Sequence, residues 1–255
     1  MSFNAMSTSY SNGSLADGAA IAGEGTLVIE PKYRRPDLRY PVQFVHGAGS
    51  DALYCLSPLG NQNTLTQMVA AEGYSATSGE NGGPQTWGNL TSLRGVDAHY
   101  ARGQTLANVK TGKTALISGS MGGLISMNWA AANRAKVSCI VSVIPVCNVT
   151  DIVTNNREGY AQFANSAYAG GWSEATYGAG HNPFTLSQAG KLAGIPMLFF
   201  YGLTDKLCTP TWPEQMKQHA GNNLTLVPLQ SGHDYDSYAA VNQPMIVDFL
   251  NTYNV

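Results

Sequence analysis

Charged residues are scarce in this sequence. Asp, Glu, Lys and Arg together make up 12% of the 255 residues, about half the usual share, and the net charge is −2. There is no run of basic residues and no interleaving of basic with aromatic residues, which argues against a nucleic-acid partner. No apolar run approaches the ~18 residues of a membrane span. We therefore expect neither a nucleic-acid-binding protein nor a transmembrane segment.

The first 25 residues also lack the marks of a secretory signal. They contain no basic segment followed by a continuous apolar segment. Because they are small and polar, residues 1–25 are predicted to form a flexible or surface-lying arm, ahead of one domain over residues 26–255. Three interpretations of location stay open: a mature fragment, a cytoplasmic enzyme, or a virion-associated protein released by lysis.

Cysteine is rare and is not spaced for metal binding. The chain has four cysteines and no C-x-x-C pair, so we predict no zinc site. Cys139 falls in an apolar run and is expected in the core. Cys147 and Cys208 both follow predicted strands, which leaves a disulfide bridge between them open.

The sequence does contain a regular alternation of short β-branched runs and helical patterns. Seven runs have the character of strands, at 26–30, 42–46, 74–77, 114–118, 138–144, 197–201 and 224–229. Apolar residues at helical spacing lie between or after them, at 62–72, 92–109, 121–134, 213–220 and 237–253. Continuous apolar strands separated by helices predict an α/β fold with a mostly parallel sheet covered on both faces.

Residues 148–190 interrupt this alternation. They carry large aromatic residues among Gly, Ala and Asn without a clear period: Tyr160, Phe163, Tyr168, Trp172, Tyr177 and Phe184. Two interpretations fit this segment. It is either a long, partly helical crossover between strands, or a cap or lid whose aromatic side chains form a wall over a site.

The segment LISGSMGG, residues 116–123, joins a predicted strand to a predicted helix. Ser120 lies at the turn among glycines, as a nucleophile elbow requires, although Ser118 stands where that motif usually has glycine. The start of a helix also directs free N–H groups at a developing oxyanion. Taken alone, the segment fits a catalytic nucleophile and a structural turn equally.

A second loop of small residues, FVHGAGS at 44–50, follows another predicted strand. The backbone N–H groups of Ala48, or alternatively Gly49, and of Met121 are the candidate oxyanion hole. We interpret His46 as a structural residue whose hydrogen bonds shape the loop.

Two further strand ends supply a candidate acid and a candidate base. Asp205 occurs in the G-x-x-D turn after the run at 197–201, where an aspartate either orients a histidine or caps the next helix. His233 lies on a loop after the last predicted strand and is the candidate general base. His181 is the second choice, because it belongs to the segment 148–190.

The chain order Ser120, Asp205, His233, together with the HGAG loop, resembles the α/β-hydrolase superfamily over residues 26–255, and in particular its serine esterases and lipases. The resemblance implies an eight-stranded or similar, mostly parallel sheet with the site above its carboxyl edge, and a cap or lid at about 148–190. It also implies a Ser-His-Asp triad that needs no metal and no organic cofactor.

These residues predict hydrolysis of a carboxylic ester with an apolar acyl or alkyl group, taken from a small-molecule or lipid substrate. The candidate substrate-binding residues are Gly49, Leu124, Phe163, Trp172 and His181. Two other hypotheses stay open. One is a phage tail or virion-associated protein that hydrolyses or binds cell-envelope lipids or glycans; the other is a non-catalytic binding module with the same fold.

Overall fold

An eight-stranded sheet organises the molecule, which we describe from a computed structural model covering residues 5–12 and 24–255. The strand order is β1-β2-β4-β3-β5-β6-β7-β8. β1 and β2, and β2 and β4, pair antiparallel, whereas every other neighbouring pair is parallel. The strands are β1 (Met6–Asn12), β2 (Gly25–Pro31), β3 (Val42–Val45), β4 (Ala76–Gly79), β5 (Thr114–Gly119), β6 (Val137–Val143), β7 (Met197–Gly202) and β8 (Leu224–Leu229).

Helices cover both faces of this sheet. They are α1 (Gln62–Ala71), α2 (Leu90–Gln104), α3 (Met121–Ala132), α4 (Val149–Thr154), α5 (Ala161–Ser166), α6 (Ala179–His181), α7 (Pro183–Gln188), α8 (Thr211–Ala220), α9 (Tyr235–Ala239) and α10 (Gln243–Tyr253). One apolar cluster joins the sheet to α2, α3, α4, α5 and α8, and a second joins the opposite face to α1 and α10. The predicted mostly parallel sheet with two covered faces is confirmed.

Part of the N-terminal arm forms a strand that is not among the seven predicted runs. Residues Met6–Asn12 form the edge strand β1, which pairs with β2 from Met6↔Pro31 to Asn12↔Gly25. Its sequence, MSTSYSN, is polar because an edge strand gains its backbone hydrogen bonds on one side and needs few buried side chains. The rest of the predicted arm, residues 1–4 and 13–23, lies outside the described residues.

The predicted helix over 237–253 is two helices, α9 and α10. Pro244 lies in the first turn of α10, where its missing N–H group costs nothing, and Asn242 caps that helix by accepting a hydrogen bond from the Met245 N–H. A proline at this place begins a new helix and cannot continue the previous one.

The parallel strands determine where a site can form. β3, β5, β6, β7 and β8 point the same way, so the loops that follow them meet at one edge of the sheet. Helix α3 begins at this edge and lies very close to the sheet, since a Cβ atom on Gly122 would overlap with the carbonyl oxygen of Val45. Glycine is the residue that permits this approach.

We call residues 148–190 the cap segment, after one of its two predicted roles. Hydrogen bonds to one carboxylate connect its parts. Glu174 accepts hydrogen bonds from Thr150 Oγ1 at 2.5 Å, Asn182 Nδ2 at 2.8 Å and Thr185 Oγ1 at 2.5 Å. These contacts join α4 to α7 across the segment. Within residues 5–12 and 24–255, none of the helices combines the length and the apolar character that a membrane crossing requires.

The close contact between α3 and β3 predicts that Gly122→Ala destabilises the protein. The added methyl group meets backbone, which cannot rotate away, so we expect a loss of about 1–3 kcal/mol in the free energy of unfolding. Urea denaturation measures this loss as a lower midpoint. Gly180→Ala is the matched control, because a Cβ there meets no atom within 4 Å. Equal midpoints for the two variants would contradict the packing described here.

Candidate active site

Ser120 occupies a strained turn between β5 and α3. Its φ of 51° and ψ of −121° are unusual for a residue with a side chain. Three backbone hydrogen bonds hold it there: its N–H donates to Val143 at 3.0 Å, and its carbonyl oxygen accepts from Gly123 at 2.9 Å and from Val146 at 3.0 Å. The surrounding structure therefore compensates the strain and directs the hydroxyl toward the loops at the sheet edge.

A relay of two hydrogen bonds runs from this hydroxyl. Ser120 Oγ lies 2.8 Å from His233 Nε2, and His233 Nδ1 lies 2.8 Å from Asp205 Oδ2. Since a carboxylate accepts, the Nδ1–H must donate to it, which leaves the Nε2 lone pair to accept the serine proton. The structure thus brings together the three residues that the sequence predicts as a triad.

The loop after β7 fixes the carboxylate of Asp205. Its second oxygen, Oδ1, accepts the backbone N–H groups of Leu207 at 2.9 Å and Cys208 at 2.7 Å, and its side chain is fully buried. These two N–H groups hold the carboxylate in one orientation. They also set the direction in which Oδ2 meets the imidazole.

The candidate oxyanion-hole donors differ in whether their N–H groups already have a backbone acceptor. The N–H of Gly49 donates to the Pro84 carbonyl at 2.8 Å. In the described part of the chain, no backbone carbonyl accepts the N–H of Ala48 or of Met121, the first residue of α3. Of the two residues that the sequence left open, Ala48 is therefore the one with a donor to offer.

His46 lies beneath this loop, away from the hydroxyl. It is completely buried, and its ring nitrogens contact the carbonyl oxygens of Gly47 at 2.8 Å and Glu80 at 2.7 Å. These contacts tie the loop after β3 to the end of β4. Its position agrees with the structural role that the sequence suggests.

Ser118, the unusual residue of the elbow, is accommodated in β5. Its side chain is buried, and its hydroxyl lies 3.2 Å from the Val141 carbonyl and 3.1 Å from Ser142 Oγ. A serine is small enough for this place and finds polar partners on the neighbouring strand β6.

A cavity of about 200 Å³ opens above Ser120 and His233. Ala48 borders it, as does Ile144, a β-branched residue held at a φ of 45° directly after β6. The remaining lining is rich in hydroxyl groups: Gly47, Ser50, Tyr54, Ser57, Gln62, Tyr160, Asp234, Tyr235 and Tyr238. Burial raises the pKa of Tyr54 and of Tyr238, so both keep their protons as neutral phenols.

The five candidate substrate-binding residues do not border this cavity. Leu124 points into the core and is completely buried, because it lies one helical turn beyond the elbow on the sheet side of α3. Gly49 lies outside the lining, and Phe163 is 38% exposed. The structure does not place these three residues at the cavity, and their role in substrate binding stays a prediction.

The other two belong to an aromatic cluster inside the cap segment. Trp172 packs edge-on against Tyr168 at 4.8 Å between ring centroids, and His181 contacts Tyr168 and Tyr177. His181 also lies 2.7 Å from the Gly88 carbonyl through Nδ1. These contacts stabilise the cap segment itself, and a role of Trp172 and His181 in substrate binding stays a prediction.

Sequence reasoning missed most of the cavity wall. Tyr160 is the cap residue that borders the cavity, and Tyr235 and Tyr238 come from α9. A local signal existed for α9, since these tyrosines closely follow His233. Tyr160 is one of the six aromatic residues predicted for a wall over a site, and no local signal singled it out among them.

The disulfide that the sequence left open is not formed. Cys147 and Cys208 are free, buried thiols, and burial raises the pKa of both. Neither is therefore a reactive thiolate at neutral pH.

No protein-family model matches this sequence, and no curated protein matches it. Its fold does have relatives among solved structures. The substrate-bound fluorophosphonate-binding serine hydrolase F of Staphylococcus aureus aligns with a TM-score of 0.72 at 12% identity, over 96% of this chain and 99% of the other. The S-formylglutathione hydrolase of Agrobacterium tumefaciens gives 0.72 at 13% identity, over 96% and 94%.

A peptidase is equally similar in shape. The acylaminoacyl peptidase of Pyrococcus horikoshii aligns with a TM-score of 0.72 at 10% identity, over 98% of this chain and 42% of that longer one. At sequence identities this low, structural similarity shows the fold and does not identify the substrate. The chain has the α/β-hydrolase fold, as its motifs predict.

Proposed function

We propose that this protein is a serine esterase that hydrolyses carboxylic esters with a short acyl group. The observation that carries the proposal is the pair of 2.8 Å contacts from Ser120 through His233 to Asp205. A serine, a histidine with a free Nε2 lone pair and a buried carboxylate are the parts that nucleophilic acyl transfer requires.

The reaction has two halves. His233 Nε2 accepts the proton of Ser120 as Oγ attacks the ester carbonyl, and the N–H groups of Ala48 and Met121 donate to the oxyanion. Collapse breaks the bond to the alcohol, which leaves with the proton from His233. Water then attacks the acyl-enzyme with His233 again as the base, and the carboxylic acid is released.

The size of the cavity supports a small acyl group. Its volume of about 200 Å³ lies below the range usual for sites that enclose drug-sized ligands. The rings of Tyr54, Tyr160 and Tyr238 offer apolar surface, which favours an apolar acyl group. The similarity in shape to an acylaminoacyl peptidase makes amide cleavage the second candidate.

The nucleophile is tested with a fluorophosphonate probe. We expect the wild-type protein to be labelled at Ser120, and Ser120→Ala to lose labelling and at least about 10³-fold in kcat, because the attacking oxygen is gone. Ser118→Ala is the matched control, since this buried serine lies two residues away and is bonded to β6. Labelling that persists in Ser120→Ala would show that another residue is the nucleophile.

Acyl size is tested with p-nitrophenyl esters of increasing chain length and with an anilide of the best acyl group. We expect kcat/KM to be highest for the acetate or butyrate, to fall at least about tenfold by the octanoate, and to be lower for the anilide. Tyr160→Ala should reduce the preference for short chains, because Tyr160 borders the cavity. Phe163→Ala, at an exposed neighbour, should not. A wild-type optimum at long chains would refute the short-acyl proposal, and a faster anilide would favour the peptidase.

A further inference from the structure

Three side chains with metal-binding atoms lie close together, and one of them is the imidazole of His233. Asp205, Cys208 and His233 each offer one ligand atom, and these atoms all lie within 4.8 Å of one another. Two of the residues share the loop between β7 and α8, and the third follows β8. The separation in sequence between Cys208 and His233 explains why cysteine spacing alone predicted no such site.

The thiol of Cys208 has no role in holding this loop. Its residue is 6% exposed, and the contact of Cys208 with Asp205 is made by its backbone N–H. Among the described residues, no hydrogen bond involves its sulfur. A buried and unpartnered sulfur therefore faces a carboxylate and an imidazole.

We propose that Asp205, Cys208 and His233 bind one Zn²⁺ ion, and that the bound ion turns the hydrolase off. Thiolate, imidazole and carboxylate are all ligands that zinc takes in tetrahedral sites. At zinc–ligand lengths of about 2.0–2.3 Å, the ligand atoms lie about 3.3–3.8 Å apart. The observed ligand atoms lie within 4.8 Å of one another, so the proposed site requires them to move closer to this spacing.

The charges around the sulfur favour a divalent cation. The carboxylate of Asp205 belongs to the same cluster of ligand atoms as the sulfur, all within 4.8 Å of one another, and its negative charge attracts Zn²⁺. Once the thiolate forms, its charge and that of Asp205 balance the charge of the ion.

The protons balance when the ion binds. The S–H bond of Cys208 breaks as the Zn–S bond forms, and that proton goes to solvent. Zinc replaces the proton on His233 Nδ1, and the neutral imidazole then carries its proton on Nε2. Nε2 can no longer accept the proton of Ser120, so attack on an ester stops. No oxidant or reductant takes part.

Cys147 offers a matched control within the chain. It is also a buried, free thiol near Asp205, which contributes to the raised pKa of both thiols. It is not one of the three clustered ligands. A response that depends on Cys208 and not on Cys147 separates this site from general thiol binding.

Binding is tested first in the Ser120→Ala background, with Cd²⁺ as a spectroscopic substitute for Zn²⁺. We expect an ultraviolet cadmium–thiolate charge-transfer band that saturates at one ion per chain. Adding Cys208→Ala should abolish the band, His233→Gln should weaken binding at least about tenfold, and Cys147→Ala should change neither. Absence of the band in the parent, or its persistence without Cys208, would overturn the proposal. Should Cys208→Ala fail to unfold cooperatively, His233→Gln and Asp205→Asn carry the same test.

Inhibition is tested separately, and this arm rests on the proposed esterase function. We expect Zn²⁺ to inhibit ester hydrolysis in the wild type and in Cys147→Ala, with full recovery after a chelator is added. In Cys208→Ala the inhibitory concentration should rise at least about tenfold, with each variant compared to its own metal-free rate. A bound ion without inhibition would refute the off-switch. A protein without esterase activity would refute the proposed function and leave the cadmium measurement to decide the site.

Discussion

The turn at Ser120 is the constraint on which the rest of the site depends. A residue with a side chain adopts positive φ only where its surroundings hold it, and here three backbone hydrogen bonds do so. Glycine at position 122 lets α3 approach the end of β3 closely enough for both loops to meet. The hydroxyl, the first N–H group of α3 and the loop after β3 therefore share one small volume.

Parallel strands then bring the other groups to the same edge. Asp205 and His233 are 28 residues apart in the chain, yet β7 and β8 pair in register and end together. The loop after β7 donates two N–H groups to the carboxylate, so one short segment both stabilises and orients the side chain of Asp205. The same closeness places the sulfur of Cys208 behind the imidazole, where no acyl transfer needs it.

The residues that line the cavity are positioned differently from the three residues of the hydrogen-bond relay. In the cap segment, the rings of Tyr168, Trp172 and Tyr177 pack on one another, and Glu174 joins the helices beneath them. Most of these aromatic side chains therefore pack within the segment and stabilise its fold. Tyr160 is the residue of this segment that borders the cavity, together with Ile144 from the loop after β6.

Local sequence patterns determined much of the fold and of the candidate site. Seven strands and the place of Ser120, Asp205 and His233 at strand ends follow from short runs of β-branched, apolar and small residues, because the strands of a sheet covered on both faces are buried. The break before α10 also has a local cause in Pro244. Only tertiary structure decided the strand β1 and most of the cavity wall. An edge strand carries little apolar signal, and side chains on irregular loops take their direction from packing against distant segments. Tertiary structure alone likewise brought Cys208 close to His233.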